Sequence, residues 1–505
     1  MKRFFNKLTA LLLSFTVVFS FVSTVSAEEP TYKQNLASVL TEAAIKSVAD
    51  NYKYGIDEVE LYKHALRQLL SDNPELMGTA LKGVYGNLDE HSTYFTEEEF
   101  DMFIENLSGE FCGIGVTIME FEEGLLVTEV HKNSPADKAG IRQGDVIVSA
   151  DDINIRGMAI ELAKSYIVGL KGTAVKIGIV RDGVPVFFDI VRDVVTVEPG
   201  FYQLLEGNIG YIQLSGFDDH SDEFIEKAMA SLKDAKNIIL DLRYNPGGSL
   251  EVLRLVAGHT LPKGPVLHLQ YRDGESQSIE NEKDGLTKKF VVLVNNGTAS
   301  AAEAFSAAVQ DYDAGVVVGE QTYGKGTMQI VNGFITGGGY KLTVAEYLSP
   351  DKRIINDIGV EPDYKVSPRV VKYSDIYFTP VTFERVLKVG DEGEDVLAME
   401  ERLNAMGLSV GIPDKVFDDD TFYAVKKYQE IAGLYPYGVL DITTQLSIHS
   451  YLQNKEIVID EALNTAIELA SGDLDKHISE SAKERETALR EKAEKDAKEA
   501  ARNAE

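Results

Sequence analysis

Ser300 has the residue type and setting that acyl-transfer chemistry needs. It follows the turn 295–299, where a predicted strand passes into a predicted helix. Backbone N–H groups converge at a helix start, and the helix dipole favours negative charge there. Small neighbours such as Gly297 and Ala299 leave room for a substrate backbone. A serine at this point can also be a simple N-cap, and position alone favours that structural interpretation.

Lys325 is the candidate general base. Gly324 and Gly326 flank it, so its side chain is unshielded and the backbone can approach another segment closely. A lysine acts as a base only when neutral, which requires burial to lower its pKa from ~10.4 towards ~7–8. Gln329 would orient the amine if this stretch is helical or tightly turned. The alternative, a solvent-facing loop lysine, stays open.

A glycine turn at Gly247 and Gly248 closes the segment 240–248, which reads Leu-Asp-Leu-Arg-Tyr-Asn-Pro-Gly-Gly. Paired N–H groups in such a turn can hold an oxyanion. On this pattern alone, a plain strand-to-helix turn is the better explanation.

Other kinds of site are disfavoured by the sequence. The segment 319–325 resembles the start of a phosphate-binding loop, but Gly326 stands where a Ser or Thr is required. The sequence contains neither Gly-x-Ser-x-Gly nor His-Glu-x-x-His. Cys112 is the single cysteine, which excludes an intramolecular disulfide and a multi-cysteine metal site, and its apolar setting predicts a core residue. We expect no metal and no cofactor.

The segments that must position these residues differ in their predicted secondary structure. A length of 505 residues predicts about three domains. Residues ~30–105 have helical apolar spacing, with Ser92 and Thr96 as expected helix caps. Residues ~107–192 read as short strands with turns, and 205–365 as strands alternating with helices, which indicates a layered α/β core. Within the second segment, 209–214 and 290–294 are predicted strands and 301–311 is a predicted helix. A short helical segment spans ~383–452.

The two ends of the chain have sequence patterns that differ from the domains between them. Residues 1–27 combine a basic start, an apolar run and a small-x-small site before Glu28, which predicts a secretory signal peptide; an uncleaved membrane anchor is the alternative. Residues 453–505 form a charged tail, which we expect to be a solvated helix, with a coiled-coil partner site as the minority alternative. The net charge of −31 argues against nucleic-acid binding.

Taken together, these motifs resemble the carboxyl-terminal processing peptidases, also called tail-specific proteases. The matching segments are 240–248, Thr-Ala-Ser-Ala-x-Glu at 298–303, Gly-Glu-Gln-Thr-x-Gly-Lys-Gly at 319–326, Lys341-Leu342-Thr343 and Gly359-Val360-Glu361-Pro362-Asp363. The resemblance implies a catalytic set with Ser300 as nucleophile, Lys325 as base and Gln329 as its orienting partner. It also implies oxyanion donors at the N–H of Ala301 and of Gly247 or Gly248.

The chain departs from the family pattern at two places near this set. Ala302 stands where the family often has Ser, and Tyr244 where it favours Asn. Neither departure removes a catalytic group, although both change the pocket.

The β-rich segment resembles a PDZ domain. Gly113-Ile114-Gly115-Val116 matches the loop that receives a C-terminal carboxylate, and a bound peptide would add a strand beside the module. The resemblance also implies that this module gates the active site.

The segment 383–452 resembles a three-helix peptidoglycan-binding domain. The matching positions include Leu387, Gly393, Leu403 and Tyr428. The run Asp418-Asp419-Asp420 departs from that family, since a glycine is missing.

The sequence therefore predicts a multidomain α/β (α+β) protein. The predicted order is a signal peptide (1–27), a helical region (28–106), a PDZ domain (107–192), a Ser-Lys peptidase core (193–370), a peptidoglycan-binding-like domain (383–452) and a charged tail (453–505). We expect an exported serine endopeptidase of the extracellular space or cell envelope. Its expected partners are proteins or peptides with exposed C-termini, peptidoglycan, and a second copy through the helical region, but no nucleic acid. The alternative is a catalytically silent, wall-tethered PDZ scaffold.

Overall fold

The computed structural model describes residues 29–503 except positions 109, 122, 123, 132, 182, 197, 336 and 409. The predicted signal peptide lies outside the described residues. The chain divides into two compact units, which meet in sequence between Leu88 and Asp89. Within the described ranges, no helix is long and apolar enough to cross a bilayer.

The first unit is helical, as its apolar spacing predicts. Its helices are α1 (Glu29–Asn51), α2 (Glu58–Asp72) and α3 (Met77–Tyr85), with a 3-10 turn at Pro74–Leu76. The Asp57 side chain caps α2 by accepting a hydrogen bond from the N–H of Val59 at 2.8 Å.

The second unit opens with strand β1 (Thr93–Phe95) and helix α4 (Glu97–Ser108). Thr96 caps α4 as predicted, because the Thr96 N–H donates to Glu99 and the Glu99 N–H donates to the Thr96 hydroxyl. The prediction that Ser92 caps a helix is wrong. Ser92 precedes a strand, and its hydroxyl donates to Asp89.

The β-rich module follows. Its elements are β2 (Glu110–Gly113), β3 (Val116–Phe121), β4 (Gly124–Val130), α5 (Pro135–Ala139), β5 (Val146–Ala150), β6 (Ile153–Asn154), α6 (Ile160–Ile167), β7 (Ala174–Arg181), β8 (Val184–Val191) and β9 (Asp193–Thr196). The sheet runs β3-β4-β5-β7-β8 and is antiparallel. Strand β3 lies at its edge. Strands β2 and β9 pair with each other, so the module enters and leaves through one ribbon.

The segment from Gly200 to Lys365 is an α/β core, as predicted. Its elements are β10 (Gly200–Leu205), β11 (Ile209–Leu214), α7 (Ser221–Ser231), β12 (Ile238–Asp241), α8 (Leu250–Thr260), β13 (Gly264–Tyr271), β14 (Ser276–Asn281), β15 (Phe290–Val294), α9 (Ala301–Asp311), β16 (Gly315–Gly319), β17 (Thr327–Gly333), β18 (Gly339–Leu348) and β19 (Tyr364–Lys365). The main sheet runs β10-β11-β12-β15-β16-β19, and it is parallel apart from β10. A second sheet runs β1-β18-β13-β14, with β17 paired to β18.

The main sheet is covered on both faces. Alternate strand residues such as Leu240 and Val292 pack against α7, α8 and α9 on one face. The opposite face of the same strands carries Ile239, Val291 and Val316.

The chain then leaves the core at β20 (Arg369–Lys372) and returns at β21 (Glu456–Ile459), and these two strands pair antiparallel. Between them lie α10 (Glu394–Ala405), α11 (Asp419–Ile431) and α12 (Ile442–Leu452), which share a buried core. The three-helix domain is therefore an insertion between paired strands.

The tail completes the main sheet. Helix α13 (Glu461–Ser471) and the start of α14 (Leu474–Asn503) pack on the otherwise open sheet face. The apolar residues that do so are Ala462, Ala466, Leu469, Ala470, Leu474 and Ile478. Arg485 adds an ion pair with Asp363, whose side chain is 1% exposed. The prediction of a solvated tail is wrong for this part, because small alanines among many charges concealed a buried stripe.

We predict that Ala466→Asp lowers the free energy of unfolding by about 3 kcal/mol, because it buries a carboxylate without a partner. Ala466 is fully buried against the sheet. Urea unfolding followed by circular dichroism measures the change. Asn464→Asp places the same side chain at an exposed position of the same helix and should leave the midpoint in place. Equal shifts in both variants would contradict a buried role for α13.

Candidate active site

Ser300 lies where β15 passes into α9, at the N-cap of that helix. Ser300 is 8% exposed and its φ is +59°. A non-glycine residue with such a φ is uncommon, and strain of this kind persists where surrounding contacts hold it. Here the Ser300 N–H donates to Glu303 Oε2 at 2.8 Å. The structure thus places the predicted nucleophile in a strained turn at a helix start.

Lys325 lies in the loop between β16 and β17 and is partly buried. Burial lowers the pKa of Lys325 below its ordinary value, and the positive charge of Lys341 lowers it further, while Glu303 acts in the opposite direction. The direction is the one that a general base requires. No hydrogen bond joins the Ser300 hydroxyl to the Lys325 amine among the described residues.

Glu303 connects the two segments. It is fully buried, and its carboxylate accepts four hydrogen bonds. The donors are Ser300 N at 2.8 Å, Thr322 Oγ1 at 2.6 Å, Gly324 N at 2.6 Å and Lys325 N at 2.9 Å. Burial raises the pKa of Glu303 above its ordinary value, although these donors act in the opposite direction. Sequence reasoning assigned Glu303 no role, although Ser followed three residues later by Glu is the capping-box pattern.

Gln329 lies on strand β17, beside a bulge between Met328 and Gln329. The helix or tight turn that would let Gln329 orient the Lys325 amine is not formed, because β17 pairs with β18. The Gln329 amide donates to Thr327 Oγ1 at 2.8 Å and to Thr343 Oγ1 at 3.1 Å. In the described part of the chain, no hydrogen bond joins Gln329 to Lys325. Both hydrogen bonds use the NH2 group of Gln329, so its side-chain carbonyl oxygen is the atom that can accept a hydrogen bond from another group.

A polar cluster supports Gln329. Thr343 Oγ1 donates to Asp89 Oδ1 at 3.0 Å, and the Thr343 N–H donates to Ser92 Oγ at 3.0 Å. Ser92 Oγ in turn donates to Asp89 Oδ2 at 2.6 Å. Ser92 thus has a role in the site's surroundings, which replaces its predicted role as a cap.

The glycine turn lies against the nucleophile. A Cβ added at Gly247 would stand 2.7 Å from Ser300 Cβ and 2.8 Å from the Ala301 nitrogen, so a larger residue would displace Ser300. The Gly247 N–H already donates to Asn245 Oδ1 at 2.8 Å. Among the described residues, the N–H groups of Gly248 and Ala301 have no acceptor. Of the two glycines considered, the geometry therefore favours Gly248 as the oxyanion donor beside Ala301.

The loop 113–116 joins β2 to the edge strand β3. Ile114 is buried in the module's core, and its carbonyl accepts from the Ala136 N–H at 2.7 Å. The Gly115 carbonyl accepts from Ser134 Oγ at 3.1 Å. Within the described residues, the Ile114 and Gly115 N–H groups have no acceptor. The loop is thus held through its carbonyls, and its donors stay available for a carboxylate.

The three-helix domain carries its departure from the family pattern at a helix start. Asp418 caps α11 by accepting from the Thr421 N–H at 2.9 Å. Thr421 Oγ1 donates to the buried Glu400 at 2.8 Å. The acidic run therefore performs a capping function that does not need the missing glycine.

Comparisons with known proteins agree with this arrangement. Residues 208–366 match the Peptidase family S41, residues 112–191 the PDZ domain and residues 392–446 the peptidoglycan binding domain. The carboxy-terminal processing protease CtpA of Bacillus subtilis is 35% identical over 406 residues, covering 79% of this chain and 86% of that protein. A CtpA-like serine protease of Staphylococcus aureus is 30% identical over 405 residues, covering 79% and 81%. The solved photosystem II D1 C-terminal processing protease is 25% identical and covers 65% of this chain and 92% of that one, with a TM-score of 0.41.

We predict that Glu303→Gln lowers kcat at least about 100-fold, because small misplacements of reacting groups cost that much. Each Glu303 oxygen accepts two donors, and an amide NH2 at either position would face two N–H or O–H groups. Hydrolysis of a fluorogenic peptide and the rate of serine labelling by a fluorophosphonate measure the effect. The exposed Glu346 on β18 provides the control, since Glu346→Gln should leave both rates unchanged. Full labelling of Glu303→Gln at the wild-type rate would contradict the prediction.

Proposed function

This chain belongs to peptidase family S41 and is a serine protease homologous to the carboxy-terminal processing protease CtpA, and on that premise we propose that it cleaves proteins near their C-termini through a Ser300–Lys325 acyl-enzyme mechanism. The observation that carries the proposal is the buried Glu303, which binds the backbone of both residues. The lowered pKa of Lys325 supports its role as base.

The chemistry proceeds in two half-reactions. Ser300 Oγ attacks the substrate carbonyl while Lys325 Nζ takes the hydroxyl proton, and negative charge develops on the carbonyl oxygen. The N–H groups of Gly248 and Ala301 stabilise that oxyanion, a contribution of about 3–4 kcal/mol per donor in related chemistry. Lys325 then gives the proton to the departing amine. Water, deprotonated by Lys325, attacks the acyl-enzyme, and the proton returns to Ser300 as the acid product leaves.

The PDZ domain supports recognition of substrate C-termini. Its edge strand β3 presents an unpaired side, to which an extended peptide can add as a further strand. The Ile114 and Gly115 N–H groups lie at the start of this edge, where a terminal carboxylate would be received. The module attaches through the β2–β9 ribbon, which supports gating by its movement.

Export and wall attachment are also part of this proposal. The N-terminal pattern of residues 1–27 supports export, and the match to a peptidoglycan binding domain supports retention at the cell wall. Recovery of a mature protein that begins at Glu28 from the wall fraction would support both. Recovery of the full-length chain from the cytoplasm would contradict them.

A homodimer through the first unit is the proposed assembly. Val59, Tyr62, Leu66 and Leu69 form an i, i+3, i+7, i+10 stripe on α2, and each is at least 40% exposed. Such a stripe is typical of a helix that buries its apolar face against a partner. Analytical ultracentrifugation should give a dimer that Leu66→Glu converts to monomer.

Ser300→Ala provides the decisive experiment for catalysis. The wild-type protein should cleave a reporter protein that carries an apolar C-terminal tail, and Ser300→Ala should lower the rate by about 10³-fold or more. Mass spectrometry of the products measures the cleavage and locates it. Equal cleavage by both proteins would refute the assignment, and absence of cleavage by either would favour the silent scaffold.

The pH dependence tests the base. Only the neutral Lys325 amine accepts a proton, so kcat/KM should fall as the pH drops from about 9 to about 6. Lys341→Gln removes a positive charge that lowers the pKa of Lys325. The pKa therefore rises, and the acidic limb of the profile moves to higher pH.

The exposed Lys352 is the matched control, because Lys352→Gln makes the same chemical change away from the site. A flat wild-type profile would contradict a lysine base. If the acidic limb of the pH profile is at the same pH in Lys341→Gln as in the wild-type protein, Lys341 does not lower the pKa of Lys325.

A further inference from the structure

Two exposed tyrosines flank the turn that carries the nucleophile. Tyr244 is 77% exposed and Tyr323 is 57% exposed. In the part of the chain that the structure describes, neither hydroxyl has a hydrogen-bond partner. Single exposed tyrosines are common on this surface, for example Tyr377 at 85%, so the position of these two beside the nucleophile is what points to contact with a substrate.

Sheet order places the two tyrosines on opposite sides of Ser300. Strands β12, β15 and β16 are consecutive parallel neighbours, so their C-terminal ends lie side by side. Tyr244 follows β12, Ser300 follows β15 and Tyr323 follows β16. In sheets of this kind, ligands bind at the C-terminal ends of the strands.

Backbone contacts fasten both tyrosines to the turn. The Tyr244 N–H donates to Asn295 Oδ1 at 2.9 Å, and a Cβ added at Gly297 would lie 2.8 Å from Tyr244 Cδ1. The Tyr323 N–H donates to the Thr298 carbonyl at 3.0 Å. Both tyrosines are therefore bonded to the short segment 295–298 that leads into Ser300.

Tyr244 also has an unfavourable backbone conformation. Its φ is +60°, a region that suits Gly or Asn and is an outlier for a bulky residue. Strained residues of this kind cluster at active sites and ligand clamps. The folded protein holds an aromatic ring at this position despite a cost of order 1–3 kcal/mol.

The chemistry of the site assigns a side to each ring. Tyr244 belongs to the same loop as Gly248, which would hold the carbonyl oxygen of the acyl half. Tyr323 lies two residues before Lys325, which would protonate the leaving amine. We propose that Tyr244 contacts the substrate side chain on the acyl side of the scissile bond and Tyr323 the one on the amine side, so that apolar residues are preferred at both. This inference rests on the proposed Ser300–Lys325 function and adds its substrate class.

Two peptide pairs with a common C-terminal tail test the inference. One pair has Leu or Asn immediately before the scissile bond, and the other has Leu or Asn immediately after it. Since Leu and Asn are similar in size, the ratio of kcat/KM values within a pair measures apolar preference. Tyr244→Asn should lower the Leu preference about tenfold in the first pair only, and Tyr323→Ala about tenfold in the second pair only.

Thermal unfolding supplies an independent readout for Tyr244→Asn. Asn tolerates a positive φ, so the melting temperature should stay equal to or above the wild-type value while selectivity falls. Tyr377, which is 85% exposed and lies in the segment after β20, is the control, and Tyr377→Ala should change neither ratio.

Three results would overturn the inference: no Leu preference in the wild-type protein, an equal fall for all four peptides, or a change on the side assigned to the other tyrosine. These outcomes differ from failure of the proposed function, which would appear as cleavage that Ser300→Ala does not abolish or as no cleavage of any of the four peptides.

Discussion

The active site depends on one buried carboxylate. Glu303 has no exposed surface, and an ionised carboxylate in such a position is stable only when its oxygens are hydrogen-bonded. Four donors meet that requirement, and three of them are the backbone N–H groups of Ser300, Gly324 and Lys325. The same hydrogen bonds therefore stabilise the buried carboxylate and hold the Ser300 turn next to the Lys325 loop. In the chain, these two segments are separated by helix α9 and strand β16. The strained φ of Ser300 is held in part by this contact.

The main sheet places the C-terminal ends of three neighbouring strands at the edge where Glu303 lies. Parallel pairing of β12, β15 and β16 brings the glycine turn, the Ser300 turn and the Lys325 loop to one edge. The second sheet contributes further polar and charged residues to the site, because β17 carries Gln329 and β18 carries Thr343 and Lys341. Strand β1 extends that sheet beside β18, which places Asp89 and Ser92 within hydrogen-bond distance of Thr343. Polar support and positive charge thus come to the site from residues far apart in sequence.

The PDZ domain and the three-helix domain are attached in the same way. The PDZ domain enters and leaves through the β2–β9 ribbon, and the three-helix domain through the β20–β21 pair. An insertion whose ends are paired adds a domain without disturbing the core. The chain then returns to cover the open face of the main sheet with α13 and α14. The peptidase core is therefore complete only when residues on both sides of the inserted domain have folded together.

Sequence alone was sufficient for several local elements and for the family. Strands 209–214 and 290–294 and helix 301–311 were predicted with the bounds that the structure has, because each is an apolar run ended by turn residues. The motifs around Ser300, Lys325 and Gly247 identified a serine peptidase of the carboxyl-terminal processing type. The roles of the individual site residues remain predictions.

Tertiary structure decided what local pattern cannot specify. Pairing with β18 made the stretch around Gln329 a strand, since sheet hydrogen bonds outweigh local spacing. Only the fold shows that the Gly247 N–H is already bonded to Asn245, and that alanines of the charged tail are buried against the main sheet. The link through Glu303 also required the fold, because its partners at 322–325 lie about twenty residues further along the chain and become neighbours only when β15 and β16 pair.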